Sequence, residues 1–170
     1  MKNKKLIRTF QIILGIFFIA SGLAKGLTPM STAAKIDEYF LILGLDYFTR
    51  FDLITVFLLN ITEVTIGVMF ILNIYPKLTL WASTLLMVVF TPKTLYVAIT
   101  GAMTYSGCFG EVIQLTPWQS HWKNVVMDLL LIAIWIGYKS IPRTKLTEKQ
   151  QQIIIGLTVL TVFIYQLLML

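Results

Sequence analysis

The chain has little of what soluble, metal-binding and disulfide-rich proteins depend on. Its 170 residues include one cysteine and one histidine, and only 13% are charged, about half the share typical of soluble domains. One cysteine excludes a scaffold held by internal disulfides. One histidine leaves no imidazole pair to ligate a metal or haem within the chain. No phosphate loop, Ser-His-Asp set or paired-carboxylate arrangement is recognisable, so we expect no metal site.

Apolar residues are abundant instead. They make up 57% of the chain, the mean hydropathy is +0.80, and the excess is concentrated in long runs. A water-soluble protein of this size cannot cover so much apolar surface, and an aromatic content of 13% argues against disorder or collagen. The composition therefore predicts an all-α integral membrane protein in a lipid bilayer.

Five apolar runs are predicted transmembrane helices. They cover approximately residues 6–24, 53–75, 78–101, 117–138 and 150–170. No cleavage site follows the first run, so we expect a retained helix rather than a signal peptide. The fourth begins after Thr116, a capping hydroxyl followed by Pro117 and, three residues after the cap, Gln119. The last run ends without a polar tail, which is typical of the membrane part of a longer chain.

The basic residues predict the orientation. Nine lie on one side: four in the N-terminal tail, Lys77, and four between residues 139 and 149, Arg143 among them. Four lie on the other side, namely Lys25, Lys35, Arg50 and Lys123. The excess of Lys and Arg marks the cytoplasmic side, so the N-terminus is predicted inside, the C-terminus outside, and loops 25–52 and 102–116 outside. Because the basic residues flank apolar runs, nucleic acid is not an expected partner of this chain of net charge +6.

The first outer loop contains a predicted short amphipathic helix from Ser31 to Leu43. Its apolar residues recur at helical spacing with charged residues between them. Such a helix lies in the outer interface or covers the mouth of the bundle. The alternative, a helix that only packs against the bundle, remains open.

Three ionisable residues fall inside predicted spans: Glu63, Lys93 and Asp128. An unpaired charge there costs at least ~2.5 kcal/mol, so each is expected to face the bundle interior and to have a partner. All three lie ~12–17 Å below the outer helix ends, at 1.5 Å per residue, so they can meet. Pro92, just before Lys93, can bend or break its helix. Two interpretations remain open: a structural charge network, or a role in proton movement or in tuning a neighbouring group.

The second outer loop contains the lone cysteine in the turn Tyr105-Ser106-Gly107-Cys108-Phe109-Gly110-Glu111. The glycines permit a tight turn and the close approach of another backbone. On the outer side of a membrane a thiol meets an oxidising compartment, and a nearby ammonium, Lys93 or Lys25, would lower its pKa. The alternative is that Cys108 is a small buried hydrophobe.

With these motifs the sequence resembles the DoxX-like membrane proteins, most closely the branch of the methylamine-utilisation protein MauE, over about residues 8–138. The resemblance rests on Ser21-Gly22-Leu23 with Lys25, Ile36 to Tyr39, Glu63, Phe90-Thr91-Pro92, Gly107-Cys108-Phe109-Gly110 and Trp122-Lys123-Asn124. It implies a four-helix membrane domain over residues 1–140, followed by a basic linker and fifth transmembrane helix over residues 141–170.

The resemblance also implies a part in forming or reducing disulfides outside a bacterial inner membrane, together with a periplasmic thioredoxin-like partner. The logic is similar to that of quinone-coupled bundles, so a quinone is the cofactor that analogy suggests. The chain would then be a component of a thiol–disulfide oxidoreductase. Cys108 would be the exchanging thiol in a turn formed by Gly107, Phe109 and Gly110. Lys25 and Lys93 would favour the thiolate, and Glu63 and Asp128 would balance their charge.

One departure from the family matters. The family turn usually reads Cys-Gly-Cys-Phe-Gly, and here Ser106 stands at the position of the first cysteine. This is either a natural single-thiol variant or an engineered Cys→Ser substitution. In both cases the chain cannot cycle a dithiol of its own.

Two other functions remain open. The first is a non-catalytic membrane scaffold or subunit of a respiratory or redox complex, which positions a partner through its outer loops. The second is transport of a small solute past Glu63, Lys93 and Asp128, for which no motif speaks.

Overall fold

The computed structural model describes residues 2–42, 44, 46–141 and 144–170; two residues used above, Leu43 and Arg143, lie outside this part. The described ranges contain the helices α1 (Lys2–Leu27), α2 (Pro29–Ile42), α3 (Asp52–Leu72), α4 (Pro76–Thr100), α5 (Pro117–Ile136) and α6 (Glu148–Leu168). Two 3₁₀ segments cover Asp46–Phe51 and Tyr138–Ser140, and a four-residue extended segment, β1, covers Cys108–Glu111. The helical fold class is therefore confirmed.

Four of these helices are long and apolar enough to span a membrane: α1 from Lys4 to Leu27, α3, α4 and α6. Large apolar side chains point away from the bundle, with Leu85 69% and Leu129 61% exposed, as lipid-facing residues do. α5 is not among the four, because its first two turns carry polar residues such as His121 and Lys123. A fifth crossing, by α5, stays a prediction.

The first two long helices run antiparallel with their backbones in close contact. Gly15 on α1 faces Gly67 on α3, and about two turns further along α1, Gly22 faces Asn60 near the middle of α3. A Cβ added to Gly67 would lie 2.6 Å from the carbonyl oxygen of Gly15. Small residues at such contacts let helices approach closely in a membrane, and this approach brings Lys25 beside α3.

The remaining helices also run antiparallel to their neighbours. Trp135 Nε1 donates to Thr84 Oγ1 at one end of the α4–α5 pair, and Asn124 Nδ2 donates to Thr94 Oγ1 nearer the other. α6 packs against α3, where Asn60 Nδ2 donates to Gln166 Oε1 at 3.4 Å. One end of the bundle therefore holds the start of α1 and the α3–α4 turn, and the opposite end holds α2 and β1.

Local signals fix the helix boundaries. The Thr116 hydroxyl accepts from Gln119 N–H, and the Gln119 side chain accepts from Thr116 N–H, so the predicted capping box is confirmed. An equivalent box at Thr147 begins α6. Pro92 lies within an uninterrupted α4, so of the two expected effects, a bend or a break, the break does not occur.

Candidate functional site

A small cavity lies at the end of the bundle that holds α2 and β1. The centre of a water molecule can occupy about 40 Å³ of it. Because one water needs about 10–15 Å³ by this measure, the cavity has room for about three waters. Its lining includes Ser21, Lys25, Thr32, Lys35, Ile36, Tyr39, Leu59, Phe90, Lys93, Thr94, Ser106, Gly107, Cys108 and Lys123. Four long helices (α1, α3, α4 and α5), the short helix α2 and the turn that carries Cys108 thus contribute to one site.

The turn that carries Cys108 is fixed to α1. Ser21 Oγ donates a 3.0 Å hydrogen bond to the Cys108 carbonyl. Gly110 has a φ of +58°, and a Cβ there would lie 2.9 Å from the carbonyl oxygen of Ala24. Gly107 also has a positive φ, +65°, so both glycines occupy a region that other residues adopt at a cost. The two glycines allow the turn to contact α1 closely, and this contact places Cys108 at the cavity.

Ser106 is buried beside the cysteine. Its hydroxyl forms a hydrogen bond with the Ser120 hydroxyl and accepts from Cys108 N–H at 3.4 Å. The phenol of Tyr39, on α2, donates to the Ser106 carbonyl at 3.2 Å. Burial raises the pKa of Tyr39, followed by the nearby Cys108 and Glu38, so the phenol keeps its proton and remains a donor.

Lysine side chains surround the sulfur. Lys25 Nζ contacts Glu63 Oε1 at 2.5 Å, and both side chains are buried. Lys93 Nζ lies 3.5 Å from the centre of the Tyr39 ring. Lys123 Nζ lies 5.0 Å from the centre of the Phe109 ring. Rings at such distances stabilise an ammonium by cation–π attraction.

The electrostatic balance favours the Cys108 thiolate. Burial alone would raise the pKa of the thiol. The ammonium of Lys123, a hydrogen bond from Ser106, and the ammonium groups of Lys93 and Lys25 outweigh burial, so the pKa lies below its ordinary value. A thiol with a lowered pKa is a better nucleophile at neutral pH, because the thiolate is the reacting form.

Depth along the helices allows Glu63, Lys93 and Asp128 to meet, and the structure separates Asp128 from the other two. Glu63 pairs with Lys25, and Asp128 Oδ2 accepts from Thr91 Oγ1 at 2.7 Å. Residues on a helix are ~100° apart, so Thr91 and Lys93 point in nearly opposite directions. α5 therefore places Asp128 against Thr91, away from the lysines around Cys108.

Sequence reasoning missed part of the site. Four further residues lie at the site, although the sequence analysis assigned none of them a chemical role. Lys35 and Lys123 line the cavity with Cys108, and Tyr39 and Ser120 form hydrogen bonds with Ser106. Lys123 belongs to the matching stretch at the start of α5, and Tyr39 to the predicted outer helix. The positions of Lys123 and Tyr39 in the family pattern could have identified these two residues from the sequence.

The chain matches a known protein family over most of its length. Residues 3–138 match the family model described as methylamine utilisation protein MauE. The match covers well over half of the chain and includes each residue of the cavity. The comparisons with curated proteins and with solved structures gave no match.

Proposed function

We propose, from the premise that the chain belongs to the MauE family of membrane proteins, that it exchanges thiols and disulfides on the extracytoplasmic side of a bacterial inner membrane. Cys108 is the exchanging residue, and a periplasmic thioredoxin-like protein is the partner. The family's description extends the proposal to methylamine utilisation, in which the chain would help a partner acquire or lose disulfides.

The observation that carries the proposal is the setting of Cys108. Its sulfur lines a small cavity with four lysines, and three of them favour the thiolate. An inert structural cysteine sits among apolar side chains, which raise its pKa. The lysines around Cys108 instead lower the pKa of its thiol.

The proposed step is a thiol–disulfide exchange. The Cys108 thiolate attacks one sulfur of the partner's disulfide, a new S–S bond forms, and the partner's S–S bond breaks. The other partner sulfur leaves as a thiolate and takes a proton from water. A third thiol, from a substrate protein of the partner, then attacks the partner sulfur of the mixed disulfide, a new S–S bond forms, and Cys108 leaves as its thiolate. The disulfide has then passed to a new pair of cysteines, and the chain itself is neither oxidised nor reduced overall.

A quinone does not fit the cavity as it stands. Sites for organic ligands have typical volumes of about 300–1,000 Å³, whereas this cavity has about 40 Å³ of space for water centres. No step of the proposal therefore uses a quinone.

Mixed-disulfide formation tests the proposal. A thioredoxin-like protein with one cysteine, activated as its 2-nitro-5-thiobenzoate disulfide, is mixed with the detergent-solubilised chain, and release of the coloured thiol is followed. We expect Cys108 to react at pH 7 at least about tenfold faster than in the unfolded chain, since a lowered pKa enlarges the thiolate fraction. The Cys108→Ser variant should release none. A rate equal to that of the unfolded chain would contradict the proposal.

Ser106→Cys provides a second test. The side chain of residue 106 lies against Cys108 N–H, so the new thiol should form a disulfide with Cys108 under mild oxidation. Tyr105→Cys is the matched control, because Tyr105 is 41% exposed and does not line the cavity. Absence of the 106–108 bond at every redox potential would count against a redox role for this turn.

The second candidate function, a non-catalytic scaffold, is supported by the buried Ser106–Ser120 hydroxyl pair, which occupies the place of a second thiol. Under that function Cys108→Ala leaves activity in cells intact. A disrupted α2, for example by Ile36→Asp, would abolish it.

A further inference from the structure

We infer that the cavity beside Cys108 binds a small inorganic or carboxylate anion, and that the co-reactant of this thiol is therefore a small anion or carries an anionic group. The inference deepens the proposed function, since it rests on a reactive Cys108. It adds the class of molecule that the site selects.

The cavity holds more positive than negative charge. Lys25, Lys35, Lys93 and Lys123 all line the cavity. Within the described part of the chain, only Lys25 has a carboxylate within 4.0 Å, that of Glu63. A Cys108 thiolate compensates one more ammonium. Two positive charges remain at a largely enclosed space.

This excess of positive charge costs free energy. Burying an ammonium without a counter-charge is expensive. The rings of Tyr39 and Phe109 offset part of the cost for Lys93 and Lys123, because cation–π attraction is worth ~0.5–2 kcal/mol. A bound anion would offset more, since it interacts with several ammonium groups at once.

The size and lining of the cavity also suit a small anion. Room for about three waters suits an anion of a few heavy atoms. The lining hydroxyls are already used: Ser21 donates to the Cys108 carbonyl, Thr32 to the Lys25 carbonyl and Thr94 to the Phe90 carbonyl. Lysines therefore remain as the donors for a ligand, and they select by charge.

Two alkylating reagents that differ in charge test the inference. Iodoacetate and iodoacetamide modify a thiol by the same chemistry, and Cys108 is the sole cysteine, so one mass increment reports each rate. We expect the iodoacetate-to-iodoacetamide rate ratio to be at least about fivefold higher in the folded protein than in the unfolded one, from ammonium–carboxylate attraction at an effective dielectric of ~20. Sulfate should lower the iodoacetate rate more than chloride does at equal ionic strength.

Variants identify the lysines responsible. Lys35→Met and Lys93→Met should each lower the ratio several-fold, whereas Lys77→Met, at the opposite end of the bundle, should leave it unchanged. An equal loss in Lys77→Met would show general surface charge and overturn the inference. So would a folded-state ratio equal to that of the unfolded chain.

The outcomes are separable from those of the proposed function. If the iodoacetate-to-iodoacetamide ratio is raised but no mixed disulfide forms, the exchange is refuted and the anion site is kept. If a mixed disulfide forms but the ratio is not raised, only the anion site is refuted. If Cys108 reacts with neither reagent, the melting temperature decides. Sulfate must then raise it more in the wild type than in the Lys35→Met/Lys93→Met double variant, and an equal rise overturns the inference.

Discussion

At the scale of single residues, Cys108 is distinguished by its neighbours rather than by its sequence position. Ser21 and Ser106 hold its backbone, and Lys123 makes the largest favourable contribution to its thiolate. These groups come from α1, the turn itself and α5. A change in any one of them should alter thiol reactivity without removing the thiol.

Lys123→Met should slow alkylation of Cys108 by iodoacetamide several-fold at pH 7. Loss of the ammonium raises the thiol pKa, so less thiolate is present at neutral pH, and the difference should vanish at a pH above both pKa values. The measurement is the alkylation rate from pH 5 to pH 10. Lys149→Met, near the start of α6, is the control, and identical profiles for both variants would contradict the assigned role.

The Lys25–Glu63 pair gives a prediction about stability. Glu63→Gln leaves the buried Lys25 ammonium without its carboxylate, and breaking a buried pair costs about 3–5 kcal/mol. The double variant Lys25→Met/Glu63→Leu should recover most of that loss, because it leaves no unpaired charge. Denaturation in mixed detergent micelles measures both, and an unaffected Glu63→Gln would show that the pair adds nothing.

At the scale of elements, sequence patterns were sufficient for most helices. Apolar runs located α1, α3, α4 and α6, and the Thr116–Gln119 box located the start of α5. These signals are local, so they can be read from neighbouring residues.

Contacts between elements were less predictable. Depth along the helices suggested that Glu63, Lys93 and Asp128 meet, yet rotation about each helix axis decides which side chains face one another. The family resemblance led us to expect Lys25 near the thiol with Glu63 among the groups that balance its charge. The direct Lys25–Glu63 contact depends on the close glycine contact between α1 and α3, which no local pattern specifies. The position of α2 over Cys108 depends on a chain reversal that no local pattern specifies.

The glycine contact between α1 and α3 yields a prediction at this scale. Gly67→Ala should destabilise the protein by about 1–3 kcal/mol, the usual cost of overpacking, because its Cβ would meet Gly15 and Ile19. Gly156→Ala on α6 is the matched control, since no described atom lies within 4 Å of that Cβ. It should cost nothing, because alanine is the better helix former. Equal effects would contradict the close packing.

At the scale of the whole molecule, the two ends of the bundle differ in chemistry. The end with the α3–α4 turn carries Arg8, whose guanidinium donates to the Phe70 carbonyl at 2.9 Å, and most of the basic loop residues. The other end carries the cavity, the turn and α2. In the predicted orientation, with the basic end in the cytoplasm, the cavity lies at the extracytoplasmic end of the bundle, as the proposed exchange requires.

The most direct test of the account is the side from which Cys108 can be modified. In spheroplasts, a membrane-impermeant anionic methanethiosulfonate should label Cys108, and labelling at pH 6 should remain faster than for an ordinary exposed thiol. Lys145→Cys in a Cys108→Ser background should be labelled only after the membrane is permeabilised. Labelling of Cys108 only after permeabilisation would contradict the account. So would a labelling rate that decreases between pH 8 and pH 6 as steeply as that of an ordinary exposed thiol.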